Sequence, residues 1–492
     1  MNMHDFIQAK QTPDGGHILY GEKNYNSLAD DILLIKTDSF GNITWAKTFG
    51  TPSGEFVWDV EILSKSYLVS AQSSSPATRF LMKVDTAGNI LWTKTNICAT
   101  HIVATADDGF VFTSPGTANL MYLTKLDSAC NVLWRKKIDI ANSASTSGLI
   151  RTLDNGFLIS RGMYGFNGSL DFQLLRTDSM GNILWAKMYG GNGNEWFPAA
   201  ELTFDGGFIA AGTTESYGAG SGDAILMKVD SIGTVQWTKT YGGIDYDGGA
   251  FVKRTFGSVG YILTGTTPGF SVQDDSVVTG IIKAYLIKVD INGNFQWARR
   301  YGLGGTSDIA ATVWQTTDGG YTFSGATSGY STGYLDGWFI KTDNMGLSGC
   351  YDWPTIPIVN SPAILDSNLI FIETSDTLNT GTGNFLWDSV ATLFITIECT
   401  TDPTGSGIFN TDKTTSFIVF PNPSNNLLTI DFANIKDASR FVIYNSLGQF
   451  IFSSSITSAQ SEINVSAFSS GIYLLRVITS KNEVHTQRFI KE

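Results

Sequence analysis

The chain has 492 residues, of which 42% are hydrophobic, 12% aromatic and 16% charged, with 52 glycines; this is a folding, turn-rich β composition spread over more than one domain. A formal net charge of -13 excludes the basic stripe that nucleic acids and anionic membrane surfaces require. No apolar run approaches the ~18–20 residues that cross a bilayer.

The opening segment, MNMHDFIQAK (1–10), has neither the basic nor the apolar stretch of a signal peptide. From there to residue 350 one phrase recurs: KTDSFGNITW (36–45), KVDTAGNILW (83–92), KLDSACNVLW (125–134), RTDSMGNILW (176–185), KVDSIGTVQW (228–237), KVDINGNFQW (288–297) and KTDNMGLSGC (341–350). Its aspartates are Asp38, Asp85, Asp127, Asp178, Asp230, Asp290 and Asp343, so the period drifts between 42 and 60 residues. One repeat predicts four antiparallel strands, FPAAELT (197–203), GFIAAGTT (207–214), DAILMKVD (223–230) and TVQWTKTYG (234–242). Short strands at that period read as propeller blades, which makes residues 1–350 a seven-bladed β-propeller.

The turns explain the phrase. The aspartate bonds the backbone N–H groups ahead of it, and the glycine three residues later accepts a positive φ. Asp14-Gly15-Gly16, Asp205-Gly206-Gly207 and Asp318-Gly319-Gly320 form the tight turn between first and second strands. Trp45, Trp92, Trp134, Trp185, Trp237 and Trp297 are expected to wedge between neighbouring blades as packing groups, not as stacking platforms for a ligand. The seventh repeat loses its tryptophan, so the ring closes either with residues 348–353 or with a segment upstream of this chain. The motif resembles the tryptophan-docking repeats of quinoprotein-type propellers, and more closely the DGG-rich propeller repeats of secreted bacterial proteins. That resemblance covers residues 3–350 and implies blades, with no quinone and no other cofactor.

Residues 351–416 carry several short β-runs with Thr/Gly/Ser joints, a small β-domain or an extension covering the propeller edge. Residues 417–492 then lose glycine and read as a six- or seven-stranded antiparallel β-sandwich. Four boxes occur there in order: Pro421-Asn422-Pro423, the Asn-Ser-Leu-Gly-Gln turn at Gly448, Gly471 and Tyr473 in a GIY box, and a last strand with Arg488 and Lys491. Together they resemble the type A C-terminal sorting domain of the Bacteroidetes type IX secretion system. The resemblance implies recognition by the outer-membrane translocon and an extracellular or cell-surface location. Such cargo first crosses the inner membrane by a signal peptide, so the N-terminus of this chain is expected to be incomplete.

Chemistry-bearing patterns are sparse. His4, His17, His101 and His485 lack metal-ligand spacing, and no nucleophile elbow, HExxH or phosphate loop occurs, so no catalytic, cofactor or metal residue is expected. Of four cysteines, Cys350 and Cys399 flank the intermediate segment and Cys98 and Cys130 lie in adjacent blades, each pair open to a disulfide. One acidic pattern follows the repeat: Asp5, Glu55, Glu195, Asp247 and Asp308 stand at the entry to first strands, near one rim of the channel. They read as caps of their own loops, or as an acidic mouth holding a cation or a basic or polyhydroxyl ligand. The function expected is a secreted, surface-displayed, monomeric, non-catalytic propeller that binds a glycan or protein; the alternative is an extracellular glycan hydrolase or lyase working at the channel mouth.

Overall fold

The computed structural model describes residues 7–25, 29–51, 53–74, 77–116, 120–139, 143–165, 168–256, 259–269, 281–302, 305–329, 336–349, 352–368, 373–375, 381–382, 417–420, 424–432, 438–445, 450–469, 471–479 and 484–491. They form small antiparallel sheets with no α-helix among the described residues. Two compact units result, Met1–Gly407 and Ile408–Glu492.

The first unit repeats one sheet. The fifth copy runs Glu195–Leu202, Phe208–Thr214, Asp223–Val229 and Val235–Gly242, each strand hydrogen-bonded to the next. Sheets 1 to 6 each have these four strands, and sheet 7 has three, Asp308–Gln315, Tyr321–Thr327 and Asp336–Thr342. In sheet 5 the second and third strands, Phe208–Thr214 and Asp223–Val229, are buried on both faces because sheets 4 and 6 cover them, whereas the third strand of sheet 7 is only partly buried. The first strands are neighbours in chain order, and that of sheet 7 lies against that of sheet 1, Gln8–Gln11. There Trp314 Nε1 donates to the Ala9 carbonyl at 2.7 Å, the Ala9 amide to Thr312 Oγ1 at 3.3 Å, and His17 Nε2 lies 2.8 Å from Thr322 Oγ1.

Each recurring side chain has a position. Asp38 Oδ1 accepts the amides of Phe40 and Asn42 at 2.8 and 2.9 Å, closing the turn between third and fourth strands. Gly41, Gly88, Gly181, Gly233, Gly293 and Gly346 have φ between 76° and 88° there, and Cys130 takes the same place at 66°. The lysine or arginine two residues before the aspartate reaches the first turn of its own sheet. Lys36–Asp14, Lys125–Asp107, Arg176–Asp154, Lys228–Asp205 and Lys341–Asp318 pair at 2.5–2.9 Å. Sheet 6 has no aspartate in that turn; among the described residues buried Lys288 donates to the Val289 carbonyl and Gln296, and burial drags its pKa down to about 8.

The tryptophans cross between sheets. A methyl group on Gly88, Gly181, Gly233, Gly293 or Gly346 would come within 2.7–3.1 Å of the rings of Trp45, Trp134, Trp185, Trp237 or Trp297 of the preceding sheet. Trp45 and Trp185 also donate to the Thr86 and Ser231 carbonyls, and Tyr189, Tyr241 and Tyr301 to the Gly233, Gly293 and Gly346 carbonyls at 2.6–2.7 Å. Cys98 and Cys130 are free thiols, so the disulfide considered between them is not formed; Cys350 and Cys399 lie outside the described residues.

Residues 352–382 do not return to sheet 7. Asp352–Thr355 adds a fifth strand to sheet 6, anchored by Arg299–Asp352 at 3.0 Å. Ile358–Asn360 then joins sheet 5, Leu365–Asn368 sheet 4, Glu373–Ser375 sheet 3 and Gly381–Thr382 sheet 2. The segment is thus a belt laid along outer strand edges in reverse sheet order. Residues 348–353 therefore do not close sheet 7: the edge strand of sheet 6 captures them, because the Arg299–Asp352 pair and four residue pairings lie there.

The second unit contains a three-stranded sheet (Ile418–Phe420, Leu427–Asp431, Gln460–Asn464) and a four-stranded one (Phe450–Ser455, Ala438–Asn445, Gly471–Thr479, Val484–Lys491). Phe417, Leu428, Ile430, Phe441, Ile443, Leu475, Val477 and Phe489 form one core between them.

Two outcomes are expected. Trp185→Ala removes a half-buried ring and its hydrogen bond, so urea unfolding should show a loss of about 2–4 kcal/mol, toward the lower end of core truncations. Lys288→Met should stabilise the protein at pH 7 by about 1–3 kcal/mol. The folded lysine titrates near 8, below its ordinary 10.5, so the penalty is complete below pH 8 and should fade as pH rises to 10.5. Equal unfolding midpoints of variant and wild type at pH 7 would refute this.

Candidate functional site

Two ends of the first strands carry candidate chemistry. At the entry end stand Glu55, Glu195, Asp247 and Asp308, each fully buried, while Asp5 lies outside the described residues. Each bonds its own loop. Glu55 accepts the Thr51 amide and hydroxyl at 2.8 and 2.6 Å, and Glu195 the Gly191 amide and Thr214 hydroxyl at 2.9 Å each. Asp247 accepts the Gly243 amide at 2.5 Å, and Asp308 pairs with Lys283 at 2.6 Å.

The sequence expectation omitted a second set of acids. Asp31, Asp171 and Asp223 open third strands seven residues before the turn aspartates Asp38, Asp178 and Asp230, a period readable in the sequence. Burial raises the pKa of the entry acids Glu55, Glu195 and Asp247, and Asp31, Asp171 and Asp223 of the preceding sheets add to the rise. A methyl group on Gly242 would overlap Asp223 Oδ1 and meet Asp247 Oδ2 at 3.0 Å. Oδ1 of Asp223 and of Asp247 are both buried without a hydrogen-bond partner. Burial pushes the Asp247 carboxyl up to about 7 against bonds from Thr267 and Gly243, and Asp223 and Asp245 add to the rise. In sheet 6 Lys283 replaces the third-strand acid, and an ion pair replaces the carboxylate pair. At the junction of sheets 5 and 6 two buried carboxylates, Asp223 and Asp247, thus approach one point beside Gly242. Among the described residues no group of three or more His, Cys, Asp or Glu side chains converges on a metal position.

At the other end, first strands carry unlike charges. Lys10 lies 2.9 Å from Asp59 Oδ1 and from Glu61 Oε2, while Asp59 Oδ2 and Glu61 Oε1 accept the Ile102 and Ala104 amides at 2.8 and 3.0 Å. All four carboxylate oxygens are engaged, and they tie sheets 1, 2 and 3 together. Burial opposes the charge on Lys10, but Asp59 and Glu61 hold its pKa above the ordinary value; burial lowers that of His101 beside them. On the first strand of sheet 6 Lys253 pairs with Glu201 of sheet 5 at 2.5 Å and sits 4.2 Å from the centre of the Trp314 ring of sheet 7.

A cavity of about 360 Å³ opens here, lined by Gln11, Thr12, Pro13, Ile62, Trp314 and Thr317. The equivalent first turns of sheets 4, 5 and 6 present Leu153, Phe204 and Phe256, which are 75%, 44% and 67% exposed. Arg254 lies over Phe204 at 5.4 Å, and the Phe256 backbone is bonded in both directions by Gln315. Equivalent turns of sheets 1, 3 and 7 carry Pro13, Ala106 and Thr317, so the exposed apolar groups form an arc on one side only.

In the second unit Tyr473 is buried and donates to the Ser469 carbonyl at 2.8 Å, and Gly471 has φ 155°. Arg488 and Lys491 lie in the last strand, while Pro421, Asn422, Pro423 and Gly448 lie outside the described residues.

Comparison with known proteins locates one family. Residues 418–492 match the family described as the secretion system C-terminal sorting domain. The chain therefore carries a type IX export tail, which implies export to the cell surface or beyond. No curated protein matches. Solved structures similar to the chain include a bifunctional GH43-CE protein of Bacteroides eggerthii, at 9% identity and a TM-score of 0.26, with 78% of this chain and 63% of that one covered. The extracellular domain of a one-component system from B. thetaiotaomicron matches at 8% identity and a TM-score of 0.20, covering 99% of this chain and 81% of that one. The extracellular domain of a hybrid two-component system from B. thetaiotaomicron gives 8% and 0.22, with 98% and 78% covered. Among the described residues no helix is long and apolar enough to cross a membrane.

Asp247→Asn tests the carboxylate pair. The folded carboxyl titrates near 7, above its ordinary 3.8, so its contribution to stability is present at low pH and is lost as pH rises through that window. Wild type should lose roughly 2–3 kcal/mol more than the variant between pH 5 and 8 in urea titrations; parallel curves would reject the assignment.

Proposed function

We propose that the chain is a surface-displayed binding protein, exported by the type IX system through residues 417–492. In this reading residues 1–350 are a monomeric seven-bladed β-propeller, and the strands described within residues 352–382 are a belt on its outer edges. The observation that carries the architecture is the contact of sheet 7 with sheet 1 through Trp314–Ala9 and His17–Thr322, which makes the order of first strands circular. The binding surface is the set of first turns that carries the arc of Leu153, Phe204 and Phe256, since grouped exposed apolar side chains mark contact sites. Binding is favoured over hydrolysis because a glycosidase needs two carboxylates within reach of its substrate, whereas Asp223 and Asp247 are fully buried and Asp59, Glu61 and Glu201 are committed to Lys10 and Lys253. The ligand class is a glycan or an extracellular protein.

The full chain should be screened on a glycan array and on mucin-coated plates. Retention should fall at least tenfold in Phe204→Ala/Phe256→Ala with an unchanged melting temperature. Release of oligosaccharides from an arrayed glycan would replace this reading with the hydrolase or lyase. Export is checked separately: deleting residues 417–492 from a signal-bearing version should strand the protein in the periplasm of a host with the type IX system, and undiminished surface display would sink the assignment of the tail.

A further inference from the structure

The fourth strands of sheets 5 and 6 end on glycines at the same step of the repeat, five residues past Trp237 and Trp297. A methyl group on Gly302 would overlap Asp308 Oδ2 and meet Lys283 Cδ at 3.0 Å, just as one on Gly242 would overlap Asp223 Oδ1 and meet Asp247 Oδ2 at 3.0 Å. Lys283 and Asp223 both stand seven residues before their turn aspartates, Asp290 and Asp230. The two junctions are therefore one arrangement with a single exchange, lysine for aspartate.

At the junction of sheets 6 and 7 that space holds a cation. The Lys283 ammonium donates to Asp308 Oδ2 at 2.6 Å and to the carbonyl and hydroxyl oxygens of Thr306 at 2.5 and 3.3 Å, so the charges cancel. At the junction of sheets 5 and 6 the same space is bordered by two carboxylates, both fully buried. Their loops hold one oxygen of each: Asp223 Oδ2 accepts the Ala219 and Gly220 amides at 3.0 and 3.1 Å, and Asp247 Oδ2 the Gly243 amide at 2.5 Å. Among the described residues the two Oδ1 atoms are the only carboxylate oxygens buried without a hydrogen bond, and no lysine or arginine acts on either side chain. Thr240 Oγ1, two residues before Gly242 on the same face of that strand, is buried without a bond as well. Glu55 and Glu195, at the other acid junctions, have both oxygens bonded by loop amides and hydroxyls.

We infer that the junction of sheets 5 and 6 binds one divalent cation of the Ca²⁺ class between Asp223 and Asp247, at the position the Lys283 ammonium takes one junction on. Two carboxylates match the double charge of such an ion, and hydroxyl, carbonyl or water oxygens complete its shell of hard donors. Ca²⁺ is preferred to Mg²⁺, which demands an octahedral shell, whereas these acids belong to two separate sheets. The ion ties sheet 5 to sheet 6 as the Lys283–Asp308 pair ties sheet 6 to sheet 7. Proton and ion compete for the same oxygens, so the pH response expected of Asp247 belongs to the chain freed of divalent ions. The site uses neither the first turns nor the tail, so its failure leaves the binding and export readings intact.

The test strips the full chain with EDTA and titrates it with Ca²⁺ by calorimetry at pH 8. One Ca²⁺ per chain should bind, and millimolar Ca²⁺ should raise the melting temperature by about 3 °C or more. Asp223→Lys copies the arrangement of sheet 6 into sheet 5: in EDTA it should melt no lower than wild type, and it should lose both responses to Ca²⁺. Asp223→Asn, close to isosteric, should weaken Ca²⁺ binding at least tenfold and decides the matter where the lysine variant does not fold. Wild type that shows neither heat nor a melting shift with Ca²⁺ overturns the inference; a melting temperature that then follows pH alone assigns the pair to a shared proton. Calcium binding of unchanged strength in Asp223→Asn places the ion elsewhere and overturns it too.

Discussion

The first unit depends on a constraint no larger than a methyl group. The turn between third and fourth strands must be left-handed and bare on one side, because the ring of the preceding sheet's tryptophan lies where a Cβ would project. The aspartate makes that turn, its oxygen holding the two amides that follow. The lysine before it pins the opposite turn of the same sheet. One ten-residue phrase therefore sets the strand reversal, the tie within a sheet and the contact with the next. Variation shows which parts are flexible: Cys130 takes the left-handed conformation without being glycine, and Lys288 keeps its place with no acid to meet.

Much of this was legible in the sequence because it is local. Strand positions in the fifth repeat fall within about two residues of those expected, and the turn aspartates and their amide bonds follow from spacing alone. The tail was legible for another reason: four weak boxes in a fixed order are specific together. The belt was not, since fifth strands are held by backbone bonds at another strand's edge and need no side-chain pattern. The junction of sheet 7 was visible only as a missing tryptophan, because the contact of sheet 7 with sheet 1 joins residues some three hundred positions apart.

The entry acids illustrate a different limit. Repeat position puts them at the entry to first strands, where Glu55, Glu195 and Asp247 accept backbone amides of the preceding loop. The partner of each is an aspartate on the preceding sheet, at a period of its own. Two periodic acids in one repeat say nothing, as a string, about whether the sheets bring them together. That depends on a glycine at the end of the fourth strand, such as Gly242, which leaves room for both carboxylates.

The belt changes the mechanics of a repeat protein. Stacked units with contacts only to nearest neighbours can fray from an end, each loss costing one interface. Here a single peptide crosses five sheets in descending order, so opening sheet 6 first releases a segment whose continuation still clamps sheets 5 to 2. The strap also docks on edges that exist only once those sheets have formed, which makes it a late step in folding. A protease that cuts between two of its attachment points would leave every sheet in place and still convert one cooperative body into a set of separable ones.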